Sequence, residues 1–175
     1  NLLGHDVSLG NTEAVVTVVN DDQANILISD TVVNEEDGSA TVEVSLTAPV
    51  DATVDVPWIT IDDTAFAAFG DYTVDADQVS FAVLDTTTKT VTVDIADDDI
   101  VELDELLHVG VQQAEASGRA VTVDDVFVET GGDTTIVGSG AVLVLNTDSA
   151  TFEVNADQDF FAETDDGILN ATLTV

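Results

Sequence analysis

Residues 93–111 read VDIADDDIVELDELLHVGV. The run sits between two stretches of strict alternation, Thr90–Ile95 before it and Leu106–Val111 after it. Alternation with period two puts one set of side chains on a buried face and the other in solvent, the pattern of a half-buried strand. Between the two strands the carboxylates Asp97, Asp98, Asp99, Glu102, Asp104 and Glu105 crowd into the connection. The unit is therefore strand, acidic loop, strand, with the acid gathered at a strand end.

Working outward, the same alternation recurs at regular spacing. Ile26–Val33 leads into a turn at Glu35-Glu36-Asp37-Gly38, and Ala40–Leu46 follows. Thr53–Ile61 carries the single Trp, Trp58, and Gln78–Val83 precedes Thr90–Ile95 with Asp85–Lys89 as a hairpin loop between them. Ala141–Leu145 closes the set, after a long connection that holds an extra hairpin around Val121–Val128 and a Gly131-Gly132 loop. About seven short strands rich in Val and Thr, with almost no helix, predict an all-β fold: an antiparallel, immunoglobulin-like Greek-key sandwich.

The two ends of the chain echo its interior. Ala14–Ile28 reads AVVTVVNDDQANILI and Ala141–Val154 reads AVLVLNTDSATFEV; Asn20 aligns with Asn146, Asp22 with Asp148 and Ala24 with Ala150, an offset of 146 − 20 = 126. Gly38-SATVEVSL likewise matches Gly167-ILNATLTV. A period of one sandwich length predicts tandem repeats. In that parse residues 1–22 are the last strand of a preceding repeat, 23–148 a complete repeat, and 149–175 the first two strands of the next.

Composition narrows the function. With 36 acidic residues against 2 basic ones, the formal net charge is −34. Nucleic-acid binding rests on Lys and Arg neutralising phosphates, so it is excluded, and an anionic membrane surface is disfavoured on the same ground. No apolar run approaches the length of a membrane span. The absence of Cys removes disulfides and thiol chemistry. The absence of Met suggests a segment of a longer reading frame, with any targeting signal outside it.

Three loops concentrate the acid: Glu35–Gly38, Gly70-Asp71-Tyr72 and Asp97–Glu105, with Asn146-Thr147-Asp148 at the end of the last strand. Alternate loops of a sandwich emerge at one end, so these groups converge on one rim. Converging carboxylates repel unless a hard cation lies among them. Ca2+ accepts six to eight oxygens in irregular geometry, whereas Mg2+ demands a strict octahedron and Zn2+ prefers His or Cys. His5 and His108 lie apart from the acidic loops. A solvated acidic surface of the halophile type is the competing explanation of the same composition. Catalysis is not expected: paired acids on short rim loops, with one Trp and one Tyr in the chain, lack the aromatic cleft of a glycosidase, and His108 sits within a strand.

Residues 93–111 resemble the signature of Calx-beta domains. Thr60-x-Asp-x-Thr64-Ala65 with Gly70-Asp71-Tyr72, and the Glu35-x-x-Gly38 turn, resemble the upstream parts of that family's pattern in the same order. The resemblance implies Ca2+ ligands at Glu35, Asp71, Asp97, Asp98, Glu102 and Glu105 and at the backbone carbonyl of Ile100. It also implies Asp148 at the repeat end, Asp21 and Asp22 for the preceding repeat, and Glu163 for the following one. With a single carboxylate in Asn146-Thr147-Asp148, one or two ions are expected at that end. The implied role is a secreted, calcium-rigidified stalk, adhesin or matrix fibre at a cell surface. Its partners would be neighbouring repeats in cis, or further copies joined by exchange of end strands. A calcium-free spacer and a carbohydrate-binding surface module are the alternatives.

Overall fold

A computed structural model of the chain describes residue 10 and residues 13–123 and 135–151. Their strands are β1 (Ala24–Ile28), β2 (Thr31–Asn34), β3 (Ser39–Leu46), β4 (Val54–Asp62), β5 (Ala76–Phe81), β6 (Lys89–Asp94), β7 (Glu105–Gln112), β8 (Val121–Val123) and β9 (Ile136–Leu145). They form two sheets, ordered β6-β3-β1-β8 and β2-β9-β7-β4-β5. The only helical element among the described residues is a single 3-10 turn at Glu35–Asp37. The two-sheet all-β sandwich expected from the alternation is what forms.

The alternation does the packing. In β3, Ala40, Val42, Val44 and Leu46 are buried while Ser39, Thr41 and Glu43 face solvent. Val42, Val44, Val91 and Val93 from one sheet meet Val54, Val56, Leu107, Val109, Val111 and Val142 from the other, with Phe81 fully buried beside them. Each such side chain taken out of water contributes roughly 1.5–3 kcal/mol. Trp58 belongs to the same core.

Four features differ from the sequence expectation. The stretch 26–33 is two strands, not one. β1 pairs with β3 in the first sheet, then the chain crosses at Ser29-Asp30 and β2 pairs with β9 in the second. The crossing is tight: the Ala141 amide donates to Asp30 Oδ1 at 2.8 Å, and a Cβ at Gly140 would lie 2.3 Å from the Ser29 carbonyl oxygen. Secondly, Asp85–Lys89 is no hairpin loop, because β5 and β6 are edge strands of different sheets and the loop passes between them. Thirdly, pairing is not wholly antiparallel: β1 runs parallel to β8, and β2 parallel to β9. Fourthly, the last strand begins at Ile136, earlier than the alternation at 141–145 indicated. Of the extra hairpin expected around Val121–Val128, Val121–Val123 is a strand and the remainder lies outside the described residues.

Residues 13–23 are described, carry no strand, and expose Val15, Val16, Val18 and Val19. The segment expected to open a following repeat lies outside the described residues beyond Thr151. Chain direction then fixes two ends of the sandwich. The β2–β3, β4–β5 and β6–β7 connections and the end of β9 share one end, while the β3–β4 and β5–β6 connections and the stretch after β7 share the other.

Candidate metal centre

The three acidic loops are laced together by backbone hydrogen bonds before any side chain is considered. Ile95 N donates to Gly38 O (3.2 Å), Ala96 N to Asp71 O (3.0 Å) and Thr73 N to Asp94 O (3.0 Å). The 35–38 turn closes on Gly38, whose φ of 70° is the left-handed conformation that glycine adopts without a Cβ penalty. In the same turn Asp37 Oδ2 accepts from the Asn34 amide at 3.1 Å. The 62–72 loop is held from within. Tyr72 Oη donates to Asp62 Oδ1 (2.5 Å), Ala67 N to the same Asp62 oxygen (3.0 Å), and Phe66 N to Asp71 Oδ2 (2.6 Å). Burial and the Asp62 carboxylate push the Tyr72 hydroxyl well above the usual tyrosine range, so it stays a donor. Thr64 Oγ1 accepts from Leu106 N at 2.7 Å and ties this loop to the head of β7.

Two groups of carboxylates result, each with its ligand oxygens within 4.8 Å of one another: Glu35, Asp98 and Asp148, and Asp71, Glu102 and Glu105. Between them lies a cavity of about 20 Å³, lined by members of both groups together with Asn146. That volume holds about one water-sized species. Glu35 is 8% exposed. Among the described residues, Glu35 Oε1 and Asp148 Oδ2 are buried without a hydrogen-bond partner. Two ionised carboxylates cannot donate to each other, so this arrangement costs free energy until protons or a cation neutralise it.

The protonation equilibria carry the same strain. Burial, then the neighbouring Asp148 and Asp98, raise Glu35 to about 7 against the partial relief of the Asn146 amide. Burial, then Asp71, Glu102 and Glu35, raise Glu105 to about 7.

The sequence-derived ligands distribute unevenly. Glu35, Asp71, Asp98, Glu102, Glu105 and Asp148 come together in the two groups. Asp97 belongs to neither; its neighbour Asp98, equally exposed, is the one whose carboxylate reaches Glu35 and Asp148, and Asp98 Oδ1 accepts from the Ile100 amide at 2.7 Å. The Ile100 carbonyl does face the rim, where it accepts from Asn146 Nδ2 at 3.1 Å. Asp21 and Asp22 lie in the exposed stretch ahead of β1, apart from both groups, and Glu163 lies outside the described residues. Sequence reasoning passed over Asn146 for want of charge. Its Nδ2 also donates to Glu35 Oε2 (3.2 Å), its Oδ1 accepts from Asp148 N (3.1 Å), and its own amide donates to Asp104 Oδ1 (3.2 Å). The signal that could have found it was its place: a polar residue on the inward-facing parity, one step past a buried strand.

A two-sheet sandwich with all-oxygen carboxylate groups at one rim defines a class of cation-site β-domains. The Calx-beta domain profile matches residues 20–137, more than half of the chain, and the chain belongs to this family. Solved structures with the same fold include the apo-form Calx CBD1 domain (TM-score 0.57, 19% identity, 73% of this chain and 100% of that one). Another is the calcium binding domain CBD12 of CALX1.1 (TM-score 0.54, 20% identity, 71% of this chain and 48% of that one). A third is the Calx CBD2 domain (TM-score 0.54, 15% identity, 70% and 86%). Curated protein sequences give no significant match.

Proposed function

We propose that this Calx-beta sandwich binds Ca2+ at its acidic rim, with one ion for each carboxylate group, and that the ions stiffen the domain as part of an elongated extracellular protein. The observation that carries the reading is the facing pair Glu35 Oε1 and Asp148 Oδ2, buried and without hydrogen-bond partners among the described residues. The donor set is oxygen only, which suits a hard cation, and its uneven shape suits Ca2+ better than Mg2+.

The ligands come from different parts of the fold. Glu35 follows β2, Asp98 follows β6 in the first sheet, Glu105 opens β7 in the second, and Asp148 lies past β9. A cation drawing them together couples the ends of both sheets and fixes the chain where it leaves the sandwich. Millimolar extracellular Ca2+ matches the affinity of such loop-built modules, and a stalk, adhesin or matrix fibre is the use to which this stiffness lends itself.

The test is the thermal midpoint of the chain in millimolar Ca2+ and in chelator, at fixed ionic strength, with calorimetric titration for stoichiometry. Ligand at one hundred times its dissociation constant adds about 2.7 kcal/mol per site, a rise of several degrees for a chain of this size. The rise should vanish in Glu35→Gln combined with Asp98→Asn. Equal midpoints in Ca2+ and chelator would leave the acidic rim a solvated surface and the domain a calcium-free spacer.

A further inference from the structure

The acidic rim is also where exposed apolar side chains gather. The β4–β5 loop exposes Phe69 (82%) and part of Phe66, and the β6–β7 loop exposes Ile100, Val101 and Leu103 (85%). None of the five belongs to the core. Single apolar residues scattered over a surface need no explanation, but a group of five at one end of a chain with net charge −34 does. The two loops are joined through the backbone, since Ala96 N donates to Asp71 O at 3.0 Å and Thr64 N to Leu106 O at 2.9 Å.

The apolar residues are interleaved with the acidic groups. Phe69 stands two residues before Asp71, Ile100 and Val101 separate Asp98 from Glu102, and Leu103 follows Glu102 directly. A tight turn presents the two Phe: Phe69 N and Gly70 N both donate to Phe66 O (2.9 and 3.2 Å), and the rings meet edge to face at 5.4 Å. The acidic groups are themselves open to the outside, because Asp98 and Glu102 are exposed. Each group offers three carboxylates to its ion, and in each one oxygen is already held by a backbone amide: Asp98 Oδ1 by Ile100, and Asp71 Oδ2 by Phe66. Ca2+ takes six to eight oxygens, so its shell has room for oxygens from another molecule.

We infer that the Ca2+-loaded rim docks on a zwitterionic phospholipid surface. Phe66, Phe69, Ile100, Val101 and Leu103 enter the boundary between headgroups and acyl chains, and lipid phosphate oxygens complete the shells of the ions. The inference rests on the reading that the rim binds Ca2+. Charge selects the lipid. Six carboxylates against two divalent ions leave an excess of two negative charges, and Glu36, Asp97, Asp99 and Asp104 are exposed nearby. An anionic leaflet is therefore repelled. A zwitterionic headgroup offers its phosphate to the ions and its ammonium to the surrounding acid. Without the ions the bare carboxylates would have to be desolvated against phosphates of like charge, so docking requires Ca2+. A bilayer also takes separate protruding side chains without the matched pockets that a protein partner must supply.

Co-sedimentation of the full chain with phosphatidylcholine vesicles, in millimolar Ca2+ and in chelator, tests the inference. The thermal midpoint is followed on the same protein without vesicles. Pelleting is expected in Ca2+ and not in chelator. Phe69→Ser combined with Leu103→Ser is expected to keep the calcium-dependent rise in midpoint and to weaken vesicle partitioning by about tenfold or more. Replacing part of the phosphatidylcholine by phosphatidylserine should weaken pelleting; stronger pelleting overturns the choice of a neutral surface. A rise in midpoint without pelleting overturns the inference and leaves the calcium reading standing, whereas the absence of both overturns both. Undiminished pelleting of the double variant also overturns it, since the apolar side chains would then contribute nothing. So does Ca2+-driven association of the chain without vesicles that the double variant abolishes, which would assign these side chains to a second copy.

Discussion

Glu35 sits at the junction of two demands. The fold buries it at the end of β2, and the rim sets Asp98 and Asp148 against it. Its folded-state pKa of about 7 lies above the ordinary 4.5, and Glu105 shows the same displacement. The ion-free folded state therefore holds more protons than the unfolded chain between those values, and stability falls as pH rises through that window. In chelator the thermal midpoint should decline from pH 5 to pH 8, and Glu35→Gln should flatten the decline by removing one of the two titrating groups. In saturating Ca2+ the slope should reverse or vanish, because the ion binds the deprotonated form. Thermal melts across that range, with and without chelator, read out the sign directly.

The element that sets the rim's shape is the chain crossing from β1 to β2. It lets one continuous stretch, Ile26–Val33, serve both sheets, and it places β2 alongside β9 so that Glu35 and Asp148 leave the same edge together. The crossing needs Gly140, since any Cβ there would meet the Ser29 carbonyl at 2.3 Å and the Ile28 side chain at 2.8 Å. Gly140→Ala should destabilise the domain by about 1–3 kcal/mol through forced displacement of backbone. The drop should show in chelator as well as in Ca2+, as measured by denaturant unfolding. A calcium-specific loss would place the strain at the rim instead of the crossing.

At the scale of the whole molecule, charge is the governing term. The chain's two basic side chains are both engaged by its own acids: Lys89 Nζ meets Asp85 at 2.7 Å, and Arg119 pairs with Asp51. The other carboxylates have no Lys or Arg left to pair with, and self-repulsion opposes the compact state. Raising monovalent salt from about 0.1 M to about 1 M shortens the screening length from roughly 10 Å to 3 Å. In chelator the thermal midpoint should rise with that change. In Ca2+ the gain should be smaller, because the ions have already neutralised the densest cluster. Equal gains in the two conditions would mean that the rim contributes little to the repulsion.

Alternation alone determined that Ala40–Leu46 and Leu106–Val111 are half-buried strands, because a period of two is a local property of the backbone. The crowding of carboxylates into 97–105, between strands, likewise determined that acid would gather at a strand end. The sequence did not show where Ile26–Val33 divides: the buried parity switches from Ala24 and Ile26 in β1 to Val33 in β2, and the choice of sheet is made by β9 and the bare face of Gly140. Nor did it distinguish Asp97 from Asp98, adjacent on one loop, or single out Asn146. The place of Asn146 follows from hydrogen bonds to residues some 40 to 110 positions away, and that of Asp98 from its approach to Glu35 and Asp148, distant in the chain. Local periodicity sets which face of a strand is buried; only long-range pairing decides which strands become neighbours and which loop oxygens meet.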